Sequence, residues 1–179
     1  MKLDILAIGV HPDDIELSCA GTILKEIAAG KKVGVLDLTH GELGTRGSGP
    51  LRLIEAANSA KILGLSCREN VGLADGFFIN DQEHILPIVE ILRKYQPDII
   101  LSNAPKDRHP DHGRASKLTS DACFYSGLRK VETKMNGEIQ DAWRPKSIYN
   151  YIQDRFIEPD FVVDITPFLK TKMESIKAF

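Results

Sequence analysis

The segment Gly9-Val10-His11-Pro12-Asp13-Asp14-Ile15-Glu16 crowds one imidazole and three carboxylates into six residues, directly after an apolar run. A second segment, Asp107-Arg108-His109-Pro110-Asp111-His112, repeats the His-Pro-Asp triplet about a hundred residues later. Taken singly, each triplet reads as a turn, because His and Asp beside Pro favour bends. Two such triplets at the ends of separate predicted strands point to chemistry instead. Imidazole and carboxylate are the usual ligands of a borderline divalent ion, and a catalytic zinc takes three protein ligands plus water. Two His and one Asp supply that set, although they do not select sharply between Zn²⁺ and Fe²⁺. In a strand-to-helix turn, His11 and Asp14 at i and i+3 converge while Asp13 points elsewhere. Asp14 is therefore the expected ligand, and Asp13 is left to act as general base on water. The second segment offers one ligand and one neighbour able to donate to a developing oxyanion. Asp111 either orients an imidazole from behind or caps the helix it begins, and the two roles are compatible.

The elements that must hold these residues are legible from apolar patterning. Leu3 to Val10, Lys32 to Thr39 and Asp98 to Ser102 are unalternated apolar runs, as expected of strands covered on both faces. Helical patterns run from Ile15 to Ala29, Pro50 to Leu63, Gln82 to Tyr95 and Asp111 to Leu128, with Gly30 and Gly64 as stop signals. Strands alternating with helices predict right-handed crossovers and an α/β, Rossmann-like doubly wound, mostly parallel sheet with helices on both faces. Lys146 to Gln153 and Phe161 to Thr166 read as further strands, followed by a helix from Pro167. Arg129 to Trp143, with Asn136-Gly137, reads as an exposed excursion or hairpin. Ligands in such folds sit beyond the carboxyl ends of the strands. The loops leaving the first three strands are those that carry His11 to Asp14, His40 to Gly47 and Asn103 to Arg114.

The totals narrow the function classes. A chain of 179 residues fits one domain, 1–179, with a substantial core. No apolar run approaches the roughly 20 residues that cross a bilayer. A net charge of −2 gives no basic footprint for nucleic acid or anionic lipid, so the expected partner is a small molecule. Cys19, Cys67 and Cys123 are odd in number and contain no Cys-x-x-Cys pair, which excludes a disulfide framework and a thiolate zinc cluster and indicates the cytoplasm.

"GVHPDDIELSCAGT" and "DRHPDHGRAS", with "LTHGELGTRGS", "LRLIEAANSAKILG" and "GLADG" between them, resemble the LmbE/PIG-L family of zinc-dependent N-acetyl sugar deacetylases. The similarity covers nearly the whole chain in order, and the "GELGTRG" loop is most similar to the bacillithiol-biosynthesis branch, which deacetylates N-acetylglucosaminyl malate. The resemblance implies zinc held by His11, Asp14 and His112, with Asp13 activating water. It implies that His109, supported by Asp111, stabilises the tetrahedral intermediate or protonates the leaving amine. Arg52 matches a substrate-contacting position, and Asp75 in "GLADG" one that reads sugar hydroxyls. Arg108 would meet an anionic aglycone, where a guanidinium fork suits a carboxylate, and Glu42 would line the site. The resemblance further implies a homo-oligomer and a family C-terminal segment lying beyond Phe179. Val10 stands where many relatives carry Ala, a change confined to packing.

Blander readings stand beside these. Glu16 suits a helix N-terminus, where a carboxylate meets the dipole. His84 belongs to a polar helix start, and His40 is either pocket lining or a loop residue. Arg46 and its neighbouring glycines could cradle a phosphate, but the chain has neither Gly-x-Gly-x-x-Gly nor a Walker A loop. The competing functions are an Mg²⁺ or Mn²⁺ phosphohydrolase, disfavoured by two imidazoles, and a non-catalytic sugar-binding protein with a relict metal site.

Overall fold

The computed structural model describes residues 1–45 and 47–179, so Arg46 lies outside the described residues. Five parallel strands form the sheet: β1 (Ile5–Gly9), β2 (Val33–Thr39), β3 (Cys67–Leu73), β4 (Ile99–Ser102) and β7 (Ser147–Asn150), in the order β3-β2-β1-β4-β7. The helices are α1 (Asp14–Ser18), α2 (Ala20–Ala28), α3 (Gly49–Leu63), α4 (Gln82–Tyr95), α5 (Pro110–Ser126) and α6 (Leu169–Ile176). A two-stranded ribbon, β5 (Lys134–Met135) and β6 (Glu138–Ile139), closes the excursion. Its turn residues Asn136 and Gly137 both have positive φ, as the Asn-Gly pair predicts.

Both faces of the sheet are buried, and the alternation within β1 shows how. Leu6 and Ile8 pack with Leu36, Leu38, Ile100 and the inner sides of α4 and α5, whereas Ile5 and Ala7 pack with Ile15, Ile23, Val33 and Val35 on the opposite face. This is why these strands read as unbroken apolar runs. With β2 on one side of β1 and β4 on the other, the chain reverses its winding direction between β1 and β4. That switch point opens a crevice at the carboxyl ends of the two strands carrying the His-Pro-Asp triplets.

Four elements depart from the expectation. The helix expected over Ile15 to Ala29 is two helices, broken at Cys19 (φ −111°, ψ 6°). β3 carries Arg68 and Glu69 within its span, and these charges hide a strand that lies at the sheet edge. Phe161 to Thr166 is no strand: it crosses helix α2, with Ile165 seated where a side chain on Gly21 would be, and enters a short 3₁₀ turn at Thr166. Lys146 to Gln153 shortens to β7. No described helix is long and apolar enough to cross a membrane.

Candidate active site

The turn after β1 is built around a fully enclosed carboxylate. Asp14 folds back so that Oδ2 accepts from the backbone N–H groups of Val10 (2.9 Å) and His11 (3.1 Å) and from Asn103 Nδ2 (3.0 Å). Gly9 permits this tight return, because a Cβ there would lie 3.1 Å from that of Asp14. The other oxygen, Oδ1, accepts from Gln153 Nε2 (2.8 Å) and lies 3.3 Å from His112 Nε2. His11 Nδ1 is 3.8 Å from Oδ2. One ligand atom from each of His11, Asp14 and His112 falls within 4.8 Å of the other two. No Lys or Arg among the described residues pairs with Asp14, so its counter-charges are imidazoles alone. The donor set fits a divalent ion of borderline softness.

The titration of these groups follows from their neighbours. Burial works against the His112 proton, but Asp14 and Asp107 outweigh it and raise the imidazole to about 9. His11 is likewise raised, its burial overcome by Asp14 and Asp75. Asp14 is the counterpart: burial pushes it up, yet His11 and His112 hold it well below the usual carboxylate range. Asp13 moves oppositely, raised by burial and by the Asp14 charge against the pull of Arg52. His109 is lowered by burial and by His11.

Around this centre lies a pocket of about 280 Å³, lined among others by Asp13, Leu17, Leu43, Arg52, Arg108 and His109. Asp13 Oδ2 accepts from Arg52 Nη2 at 2.8 Å, and Oδ1 has no hydrogen-bond donor among the described residues. His109 caps the N-terminus of α5, and its Nδ1 accepts from the Asp111 N–H at 3.3 Å, which leaves Nε2–H as the donor. The Asp111 side chain makes no hydrogen bond to His109. Fully buried, it accepts from Gly76 N–H (2.8 Å) and pairs with Arg114 (2.6 Å), while its backbone N–H serves His109.

The substrate-side expectations disperse. Arg52 joins the pocket through Asp13. Arg108 is a rim residue, with its side chain 70% exposed and 3.3 Å from Asp154. Asp75 borders the pocket but both oxygens are engaged, Oδ1 with His11 Nε2 (3.0 Å) and Oδ2 with the Leu43 N–H (3.0 Å). Glu42 is not among the lining residues; it accepts from the Asp75 N–H instead. Glu16 also turns away from the pocket, toward Arg68. The sequence reading missed Asp107, which holds His112 Nδ1 at 2.6 Å, and the amides of Asn103 and Gln153. Gln153 carried a signal, since it follows β7 on the same sheet edge.

A family model described as PIG-L, GlcNAc-PI de-N-acetylase, matches residues 6–123. The diacetylchitobiose deacetylase of Thermococcus kodakarensis is 30% identical over 97% of this chain and 67% of its own. A conserved protein of Thermus thermophilus superposes with a TM-score of 0.91 at 35% identity, covering 98% of this chain and 78% of that one. The 4-carboxy-2-hydroxymuconate hydratase GalB of Pseudomonas putida superposes with a TM-score of 0.81 at 25% identity, covering 99% and 78%.

Proposed function

The chain belongs to the PIG-L/LmbE family, and from that premise we propose that it is a metal-dependent hydrolase that removes the N-acetyl group from an N-acetylglucosamine conjugate. The observation that carries this reading is the convergence of His11, Asp14 and His112 beside an Asp13 that lines the same pocket. Those three residues would hold a divalent ion, zinc by preference, which would supply Lewis acidity for the acetyl carbonyl and for a water.

The rest is done by the chain's own groups. Asp13, raised by burial and by Asp14, is a stronger proton acceptor than an exposed carboxylate and takes the water's proton as oxygen adds to the carbonyl carbon. Arg52 holds Asp13 Oδ2 and so keeps Oδ1 for that transfer. The oxyanion that develops on the acyl oxygen receives the Nε2–H of His109, whose lowered pKa keeps the ring neutral and in its donor tautomer. The C–N bond then breaks, Asp13 returns the proton to the departing nitrogen, and acetate and primary amine are the products.

The rim position of Arg108 supports an aglycone bearing carboxylates, and N-acetylglucosaminyl malate is the first substrate to try. Three free cysteines support a reducing, cytoplasmic setting. GalB shows that this fold also serves a hydratase, so the choice of amide hydrolysis rests on the family and the Thermococcus relative. The test is release of acetate and primary amine by zinc-loaded protein from N-acetylglucosaminyl malate and, in parallel, diacetylchitobiose, with a chelated sample beside each. Turnover abolished by chelation is expected. Equal turnover with and without chelator, or no acetate from either substrate, refutes the reading.

A further inference from the structure

Two possible ligand sets overlap at His11. One is His11, Asp14 and His112; the other is His11, His109 and Asp111, whose ligand atoms also lie within 4.8 Å of one another. The two sets need different nitrogens of the same ring. Nδ1 is the His11 atom nearest Asp14, at 3.8 Å, whereas Nε2 is the atom nearest Asp111, also at 3.8 Å. Geometry of the donors alone does not choose between them.

The residues behind the rings do. Asp75 Oδ1 sits 3.0 Å from His11 Nε2, and Asp107 Oδ2 sits 2.6 Å from His112 Nδ1. A carboxylate accepts and cannot donate, so each holds a proton on the nitrogen it touches and leaves the other nitrogen as the one an ion would take. For His11 the nitrogen left to an ion is Nδ1, and for His112 it is Nε2, 3.3 Å from Asp14 Oδ1. Asp75 is itself anchored from the loop after β2, since its Oδ2 accepts from Leu43 N–H and its own N–H donates to Glu42. Asp107 is anchored by the N–H groups of Arg108 and Arg155. Asp111 is meanwhile occupied on both oxygens by Gly76 and Arg114.

We propose that Asp75 and Asp107 are positioning residues that fix which nitrogen each imidazole gives to the ion, Nδ1 of His11 and Nε2 of His112, and so select the His11/Asp14/His112 set over its neighbour. This rests on the metal reading above. It gives Asp75 a task other than reading sugar hydroxyls, and it gives Asp107 a function that its sequence context does not announce.

The experiment is two-bond ¹H–¹⁵N spectroscopy of zinc-loaded protein labelled in its histidines, alongside zinc affinity by chelator competition. In the wild type, the ¹⁵N shifts should place a proton on His11 Nε2 and on His112 Nδ1, with the partner nitrogens ligated. Asp75→Asn and Asp107→Asn should each weaken zinc about 10- to 100-fold, with cobalt(II) absorption shifted in the loaded variants. A merely structural role would lower the melting temperature of the metal-free variants and leave affinity and cobalt spectrum unchanged; that result overturns the proposal. So does a wild-type spectrum with His11 ligated through Nε2, a measurement that needs no variant to fold. A wild-type chain that binds no zinc refutes the metal reading itself and this assignment with it.

Discussion

Helix α1 separates two buried acid clusters that differ in where their positive charge comes from. On one side, Glu16 Oε1 accepts from Arg68 Nη1 at 2.6 Å and from the Ser59 hydroxyl, while Arg68 forks onto both oxygens of Asp37 at 2.7 and 2.9 Å. The Phe179 ring lies 5.9 Å over the guanidinium. On the other side, two residues earlier in the chain, Asp14 pairs with no described Lys or Arg and faces two imidazoles, with His11 Nδ1 at 3.8 Å and His112 Nε2 at 3.3 Å. Both clusters are buried carboxylates in one fold. The first carries its own cation and is closed, whereas the second, on the proposed reading, is left open to receive one. Burial of charge therefore does not tell the clusters apart; the lack of a Lys or Arg partner among the described residues and the convergence of imidazole nitrogens do.

The contrast breaks most sharply at Asp13, which the proposed reading places beside the open cluster as a base and not as a ligand. Asp13→Asn should lower zinc-loaded turnover about 10²- to 10⁴-fold, the usual contribution of a positioned general base, with zinc affinity within a few-fold of wild type. Steady-state acetate release together with chelator competition measures both. Unchanged turnover would return Asp13 to a purely structural partner of Arg52, and lost zinc would make it a ligand.

The closed cluster should answer the opposite way. Arg68→Met removes the cation that pairs with both Glu16 and Asp37, and breaking a buried pair from one side costs about 3 to 5 kcal/mol of stability. Metal affinity of the folded fraction should not change. The loss should depend on pH, with a sign set by Asp37. Burial, opposed by Arg68, pushes Asp37 up to about 6 in the folded protein, above its ordinary 3.8. A carboxyl raised on folding contributes stability that is complete below its unfolded value and is lost as pH rises through the folded one. Without Arg68 the folded value climbs further, so the variant keeps Asp37 protonated at pH 5 and pays for its ionisation at pH 8. Urea melts at the two pH values should show the larger deficit at pH 8. A deficit that is equal at both, or larger at pH 5, would show that Arg68 does not govern Asp37.

The two clusters also differ in how far the sequence discloses them. His11, Asp13, Asp14, His109 and His112 are visible because imidazole and acid are crowded at the ends of apolar runs, and the rule that ligands gather at strand carboxyl ends brings two distant triplets together. The core strands β1, β2 and β4 are visible for a related reason, since burial on both faces leaves a continuous apolar signature. Arg68 is hidden because its strand reads as polar until the partner on β2, Asp37, and the partner on α1, Glu16, are brought alongside it. Asp107 is hidden because its meaning lies in one nitrogen of His112. Phe161 to Thr166 misleads in the reverse direction: its apolar content suits a strand, but the backbone runs over α2, where Gly21 leaves room for Ile165.

The smallest expected effect tests whether the closed cluster is as self-sufficient as its geometry indicates. Ser59 is buried and gives its hydroxyl proton to Glu16 Oε1, while Oε2 is buried with no donor among the described residues. Ser59→Ala removes a donor to a buried carboxylate without removing its cation, so Arg68 continues to hold Glu16. The cost should be about 1 to 3 kcal/mol, that of one hydrogen bond to a charged group. Chemical denaturation reads it directly, and zinc affinity and turnover should match wild type. A deficit as large as that of Arg68→Met would mean that the hydroxyl, and not the guanidinium, makes burial of Glu16 tolerable. A loss of zinc affinity would mean that the two clusters are coupled through α1, with Glu16 supporting Asp14 from behind, and the division into a closed and an open site would no longer hold.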